Sequence, residues 1–211
     1  MELTPVRIRV IKPGDNLTGI VLAEFRKRRI DVRNRDVLLV SSKVVSVAEG
    51  RVVRLEDISP SRRARTLAKK TNLDERQVEL ILRHADRIYG EVHRAFLTLK
   101  DNFLIANSGI DKSNSRNGEV ILWPRNPQKA AERIREEILD RTKKHVGVAI
   151  VDSRIAPLRQ GTTGLAIGVA GFHPVKDYRL KKDIFGKPLE ITLQNLADDL
   201  ACAAHLLMGE A

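Results

Sequence analysis

Residues 145–172 read "HVGVAIVDSRIAPLRQGTTGLAIGVAGF". The first part, "HVGVAIVDS", is an apolar run that ends in a carboxylate, the pattern of a buried strand. The second, "GTTGLAIGVAGF", is apolar and glycine-rich, which predicts a strand and turn with another backbone in close contact. Strand therefore follows strand. Along the whole chain, helix and strand patterns mix without regular βαβ alternation. This predicts an α+β fold with mixed or antiparallel sheets and packed helices, not a doubly wound parallel sheet.

Towards the C-terminus, "RLKKDIFGKPLEIT" reads equally as a hairpin with charged shoulders or as a basic loop around an anion. "LQNLADDLACAAHLLMG" predicts a helix with Leu193, Leu196, Ala197, Leu200, Ala204 and Leu207 on one stripe, and Cys202 as a small core residue. Towards the N-terminus, "NPQKAAERIREEILDRT" is a helix capped by Asn126, with Pro127 in its first turn and Ile134, Ile138 and Leu139 on one face. "AFLTLKDNFLIANSG" reads as paired strands turning at Asp-Asn. "DERQVELILRHADRIYG" reads as a helix stopped by Gly90, and "ISPSRRARTLAKKT" as a helix behind a Ser-Pro-Ser start. "DVLLVSSKVVSVAEGRVV" predicts two β runs around a Ser-Ser-Lys break, then a turn at Gly50. "VRIRVI" alternates like a strand, and Asp15 or Asn16 is placed to cap the helix "LTGIVLAEFRKRR".

The chain has 211 residues, 42% of them apolar, enough to bury a sizeable core. No apolar run approaches a membrane span, and "MELTPVRIRV" carries charge where a signal peptide needs an apolar stretch. With a single cysteine there is no internal disulfide, and a cytoplasmic protein is the expectation. Lys and Arg exceed Asp and Glu by 38 − 27 = 11, a balance that favours anionic partners such as nucleotides or phosphorylated cofactors. Five Phe, two Tyr and one Trp are too few for a base-stacking surface, which argues against nucleic acid.

Two acids stand at strand ends, Asp111 in "SGIDKSN" and Asp152 in "AIVDSR". Carboxylates in such places suit hard metals, because the sheet fixes the backbone while the loop opens to solvent. On turn chemistry alone, each reads first as a turn former or a helix cap. Ser153 and Asn114 are oxygen donors beside them. The break "SSKVVS" brings Ser41, Ser42, Lys43 and Ser46 as donors to phosphate oxygens, or else marks an exposed strand face. Arg159 in "PLRQGTTG" precedes a glycine turn and suits bidentate clamping of a phosphate or carboxylate. The five histidines show no metal or triad spacing, and there is no Gly-x-Ser-x-Gly elbow, P-loop or dinucleotide fingerprint. The inventory favours carboxylate–metal–phosphate chemistry over covalent catalysis.

In order along nearly the entire chain, "IKPGDNL", "VLLVSSKVVSVAEGRVVRLEDISPS", "ANSGIDKSN", "GVAIVDSR", "RQGTTGLAIGVAG", "KDIFGKPLEIT" and "LADDLACAAHLLMGE" resemble the coenzyme F420-0:L-glutamate ligase family. The resemblance implies that family's α+β fold as a single domain over residues 1–211, in a homodimer. It implies GTP as co-substrate and divalent Mg or Mn, with two sites. The implied chemistry attaches L-glutamate to the carboxylate of coenzyme F420-0 through an acyl-phosphate. Asp111, Asp152, Ser153 and Glu210 would serve the metals, and Ser42, Lys43 and Asn114 the nucleotide. The pattern departs at Val47, where the family has a lysine, and at "VRIRVIKPGD", which lacks the family's Gly-Leu-Pro segment. The family also runs on past "MGE" through a Gly-rich loop. A divergent relative that acts on another carboxylate and amine, or that only binds, is the alternative.

Overall fold

The structure is a computed structural model that describes residues 2–156 and 158–210. Its central sheet has the order β1-β7-β8, with β1 (Val37–Ser41) parallel to β7 (Gly147–Ile155) and β7 antiparallel to β8 (Thr162–Ala170). Both apolar runs of that stretch form strands, as expected, and the structure pairs them with each other. The architecture is α+β, with mixed and antiparallel sheets and six α-helices among the described residues.

Helices cover both faces of this sheet. On one face, α1 (Leu17–Lys27) and α5 (Pro127–Thr142) contribute Val21, Leu22, Ala131, Ile134 and Ile138 to a core with Val148 and Ile150. Asn16 caps α1 through the amide of Gly19, and Asn126 caps α5 through Lys129, so both expected helix starts are present. On the other face, Ala149 and Val151 meet Ala201 of α6 (Leu196–Met208). The glycines of β8 explain the close fit. A Cβ on Gly164 would lie 2.3 Å from the Ala201 backbone, and one on Gly168 2.3 Å from that of Pro127.

A second core lies around α3 (Arg62–Thr71), α4 (Glu75–His84) and the antiparallel sheet β3-β4-β5 (Arg87–Val92, Ala95–Lys100, Phe103–Ala106). It gathers Leu55, Val78, Ile81, Phe96, Ile110 and Val120. β4 and β5 turn at Asp101–Asn102, both at positive φ, as a two-residue hairpin requires. A two-stranded ladder of β2 (Val52–Arg54) and β6 (Glu119–Ile121) flanks it. β9 (Val175–Asp177) and β10 (Leu193–Asn195) bracket the segment with "KDIFGKP". That segment is a hairpin-like loop, with Gly186 at positive φ and Asp183 accepting from the amides of Phe185 and Lys187.

Several expectations are corrected. The second β run after Ser-Ser-Lys is a helix, α2 (Ser42–Ala48), because this register buries Val45 and Ser46 and tertiary packing overrides β-branched propensity. "VRIRVI" finds no ladder partner among the described residues and forms no strand, although Ile8 and Ile11 still pack on the core. Gly90 does not stop α4, which ends at His84; it lies in β3 beside a register shift between Ile88 and Gly90. On α6 the buried stripe is Ala197, Ala201 and Ala204; Leu193 precedes the helix, Leu207 is exposed, and Cys202 is exposed with its thiol directed at the Gly164 carbonyl.

Candidate active site

The turn that delivers Asp111 is unusual. Asn107, Ser108 and Gly109 all take positive φ, at 54°, 55° and 68°. Left-handed backbone costs roughly 1–2 kcal/mol per ordinary residue, so the surroundings must hold it in place. They do so with buried partners. The Asn107 side chain accepts from the Phe96 amide at 2.9 Å, replacing a strand neighbour. Thr98, fully buried, accepts from the Ser108 amide at 2.8 Å and donates to the Ile105 carbonyl at 2.6 Å. Gly109 rests against the Trp123 ring, where an added Cβ would overlap the indole at 2.0 Å. Asp111 then pairs with Ile121 through both backbone bonds, 3.0 and 2.8 Å.

Asp152 arrives by a different route. It sits on β7 in regular pairing with Leu165. α2 begins at the end of β1, the strand parallel to β7, which brings Ser42 and Lys43 to the same place. Ser42, Lys43, Ser46, Asp111, Trp123 and Asp152 line one cavity of about 20 Å³, space for a single water or a bare cation.

Lys43 Nζ lies 2.7 Å from Asp111 Oδ2, and Asp111 Oδ1 accepts from the amide and hydroxyl of Ser113 at 2.8 and 2.7 Å. Burial pushes the Asp111 carboxyl up, but Lys43 and the two Ser113 donors together bring it below its ordinary value. Asp152 moves the other way. Part of the residue reaches solvent, yet its carboxyl is enclosed, and that burial pushes its pKa to about 6. The Ser153 amide (2.8 Å), the Ser42 hydroxyl and the Lys43 charge oppose the rise, while Asp111 adds to it.

The remaining expected residues are placed differently. Glu210 accepts from the Thr162 hydroxyl and lies 2.7 Å from His205 Nε2. Its pKa is lowered first by Thr162, then by His205, with Lys43 near enough to contribute. Ser153 contributes its amide to Asp152. Asn114 is exposed in the turn beyond Asp111, at positive φ. Arg159 is exposed in the loop between β7 and β8, with its own amide bonded to the Ala156 carbonyl, and it does not line the cavity. Val47, one helical turn beyond Lys43, packs against the first core. Thr98, Asn107, Trp123, Thr162 and His205 were not singled out as site residues by sequence reasoning. Only the unique tryptophan in "LWPRNP" offered a signal.

Among the described residues no three of His, Cys, Asp and Glu gather as a ligand group. Two carboxylates and adjacent hydroxyls around a cation-sized space are nevertheless a hard, all-oxygen donor set. That set fits an ion such as Mg²⁺ or Mn²⁺, which takes one or two protein carboxylates and completes its shell with phosphate and water.

Known proteins resemble this chain along nearly its whole length. The family described as F420-0:Gamma-glutamyl ligase matches residues 5–211. The chain is 38% identical to the coenzyme F420:L-glutamate ligase of Archaeoglobus fulgidus, over 100% of this chain and 83% of the relative. It is 38% identical to that of Methanopyrus kandleri, over 100% of this chain and 82% of the relative. It is 37% identical to that of Methanosarcina mazei, over 97% and 78% respectively. With a match of this extent, the chain belongs to the F420-0:gamma-glutamyl ligase family.

Proposed function

We propose that this protein joins L-glutamate to the carboxylate of coenzyme F420-0, using GTP and a divalent metal, and that it works as a homodimer. The observation that carries this reading is the convergence of Lys43, Asp111, Asp152 and Ser42 on one cation-sized cavity in a chain that matches the ligase family throughout.

A carboxylate does not react with an amine at neutral pH, because its oxygen is not a leaving group. Transfer of the GTP γ-phosphoryl to that oxygen breaks the β–γ bridge and gives an acyl-phosphate and GDP. The glutamate amine then attacks the acyl carbon, losing a proton, and phosphate departs with the former carboxylate oxygen. A bound divalent ion would offset the charge of the triphosphate and polarise the transferred phosphoryl group. Asp111 and Asp152 would hold it, with Ser42 and Ser153 as neutral donors and Glu210 reaching in from the end of α6. Lys43 supplies a fixed positive charge where phosphate oxygens gather. Asn114 would contact the nucleotide from the adjacent turn, and Arg159, on the connection between β7 and β8, would clamp a phosphate or carboxylate of the bound substrates.

The test is oxygen transfer. With the acceptor carboxylate labelled with ¹⁸O, one label appears in the released phosphate for each amide formed. Amide formation with unlabelled phosphate overturns the acyl-phosphate route. Titration calorimetry with GTP and Mn²⁺ tests the nucleotide and metal assignments, and absence of heat at saturating concentration removes them. Light scattering of the purified protein tests the homodimer.

A further inference from the structure

We propose that the groove between α3 and the free edge of β3 is a docking site for an extended, acidic segment of a partner protein. The groove, of about 550 Å³, has Arg62, Arg63 and Thr66 on the α3 wall, Leu67, Ile88 and Phe96 as an apolar floor, and Glu91 on the opposite rim. None of these residues belongs to the site around Asp111 and Asp152.

Charge selects the occupant. α3 carries Arg62, Arg63, Arg65, Lys69 and Lys70 with no acid in its ten residues. Arg65 and Lys70 each have a carboxylate 3.9 Å away, on Glu75 and Glu91, whereas Arg62 and Arg63 have no ion-pair partner among the described residues. Three of these arginines stand in the first turn, where the positive end of the helix dipole disfavours cations. An acidic ligand relieves both the unpaired guanidiniums and the dipole.

Shape selects its form. The groove lies open along its length, so it would not enclose a small molecule as binding pockets do. β3 runs along one side and, among the described residues, pairs only with β4, which leaves one edge of main-chain amides and carbonyls without a strand neighbour. A peptide added to that edge sends alternate side chains over the groove, where acids meet Arg62 and Arg63 and aliphatic residues cover Leu67 and Ile88. A nucleic acid fits less well: the one aromatic residue in the floor, Phe96, is only 1% exposed and offers no face for stacking. A second copy of this face is disfavoured, because it would set α3 arginines against α3 arginines.

The test uses the full chain and a fluorescent peptide of about seven residues alternating Glu and Val, the span of one strand. Fluorescence anisotropy is read at about 0.15 M ionic strength. Three comparisons accompany it: the same peptide N-methylated at alternate residues, a Lys-for-Glu version, and a single-stranded DNA of equal charge. The expected result is saturable binding of the acidic peptide, weakened at least tenfold by N-methylation and by the exposed double substitution Arg62→Glu/Arg63→Glu. The Lys version does not bind, and glutamate ligation by the double variant is unchanged. Equal binding of the N-methylated peptide or of DNA reduces the groove to a polyanion patch and overturns the proposal. So does binding indifferent to Arg62 and Arg63, absence of binding, or loss of ligation in the folded double variant, which would assign the groove to the reaction itself. Because ligation is read separately, the ligase reading stands or falls independently of this one.

Discussion

Asp111 and Asp152 look into one cavity from supports of opposite kind. Asp111 hangs from a run of left-handed residues, stays partly open, and is held ionised by Lys43 and Ser113. Asp152 belongs to a long strand, just beyond a register shift between Ile150 and Val151, is shut in, and is pushed towards the neutral acid. The turn stores strain and the strand stores a desolvated charge. Two carboxylates so close cannot share an environment without repelling, and the fold separates them electrically without separating them in space.

Both supports depend on a glycine, and this is where the comparison breaks most visibly. Gly164→Ala, opposite Ser153, drives a methyl into the Ala201 backbone, which has no rotamer with which to yield. A loss of about 3–5 kcal/mol is expected in chemical denaturation. Gly109→Ala adds a positive-φ penalty to an overlap with the Trp123 ring, but a ring can tilt, so about 2–4 kcal/mol is expected. If the Gly109 variant proves the costlier, the turn and not the strand is the stiffer support.

The acids themselves sharpen the contrast through pH. The folded pKa of Asp152, about 6, lies above that of the unfolded chain, so its burial costs stability above that unfolded value. The cost is full once pH exceeds about 6 and fades as pH falls towards 4. Asp152→Asn is therefore expected to stabilise the metal-free protein by about 2 kcal/mol at pH 8 and not at all at pH 4. Asp111 carries the opposite sign, because its lowered pKa makes its stabilisation present at neutral pH and lost on acidification through that lowered value. Lys43→Met should cost about 1 kcal/mol at pH 7 and raise both carboxyl pKa values, followed by ¹³C NMR of the carboxyl groups. A Lys43 variant in which only Asp111 moves would show that the cavity does not join the two acids. The smallest effect is expected at Asn114→Gly. Its φ of 59° suits glycine equally, so stability should stay within about 0.5 kcal/mol while nucleotide affinity falls.

Much of this was legible in the chain and some was not, for reasons that differ between the two supports. The strand at residues 147–155 announces itself by the apolar run that ends at Val151, and the capped helices by Asn16 and Asn126. Residues 44–47 do not, because "VVSV" satisfies strand propensity while burial of Val45 and Ser46 selects a helix. Asp111 and Asp152 stand out as strand-end acids, but β7 continues past Asp152 to Ile155, because Ser153, Arg154 and Ile155 stay laddered to β8. The approach of the two acids follows from the β1–β7 pairing and the left-handed turn, neither written in local pattern. The same holds for Glu210, whose anchors, Thr162 and His205, come from a strand and from the helix before it. Arg159 stands out by chemistry alone, and among the described residues it is not part of the cavity lining.

The close seating of α6 on β8 has a mechanical meaning. Between Gly164 and Ala201 there is no layer of side chains, and the Asp198 carboxylate also accepts from the Ala166 amide at 2.9 Å. Side chains are what let packed elements slide or rock, and here that cushion is missing. A shift of α6 therefore moves β8 without slack, and β8 is laddered to Ser153 and Asp152. The helix that carries Glu210 towards the site is geared to the strand beneath Asp152, so the two acids travel as one rigid part.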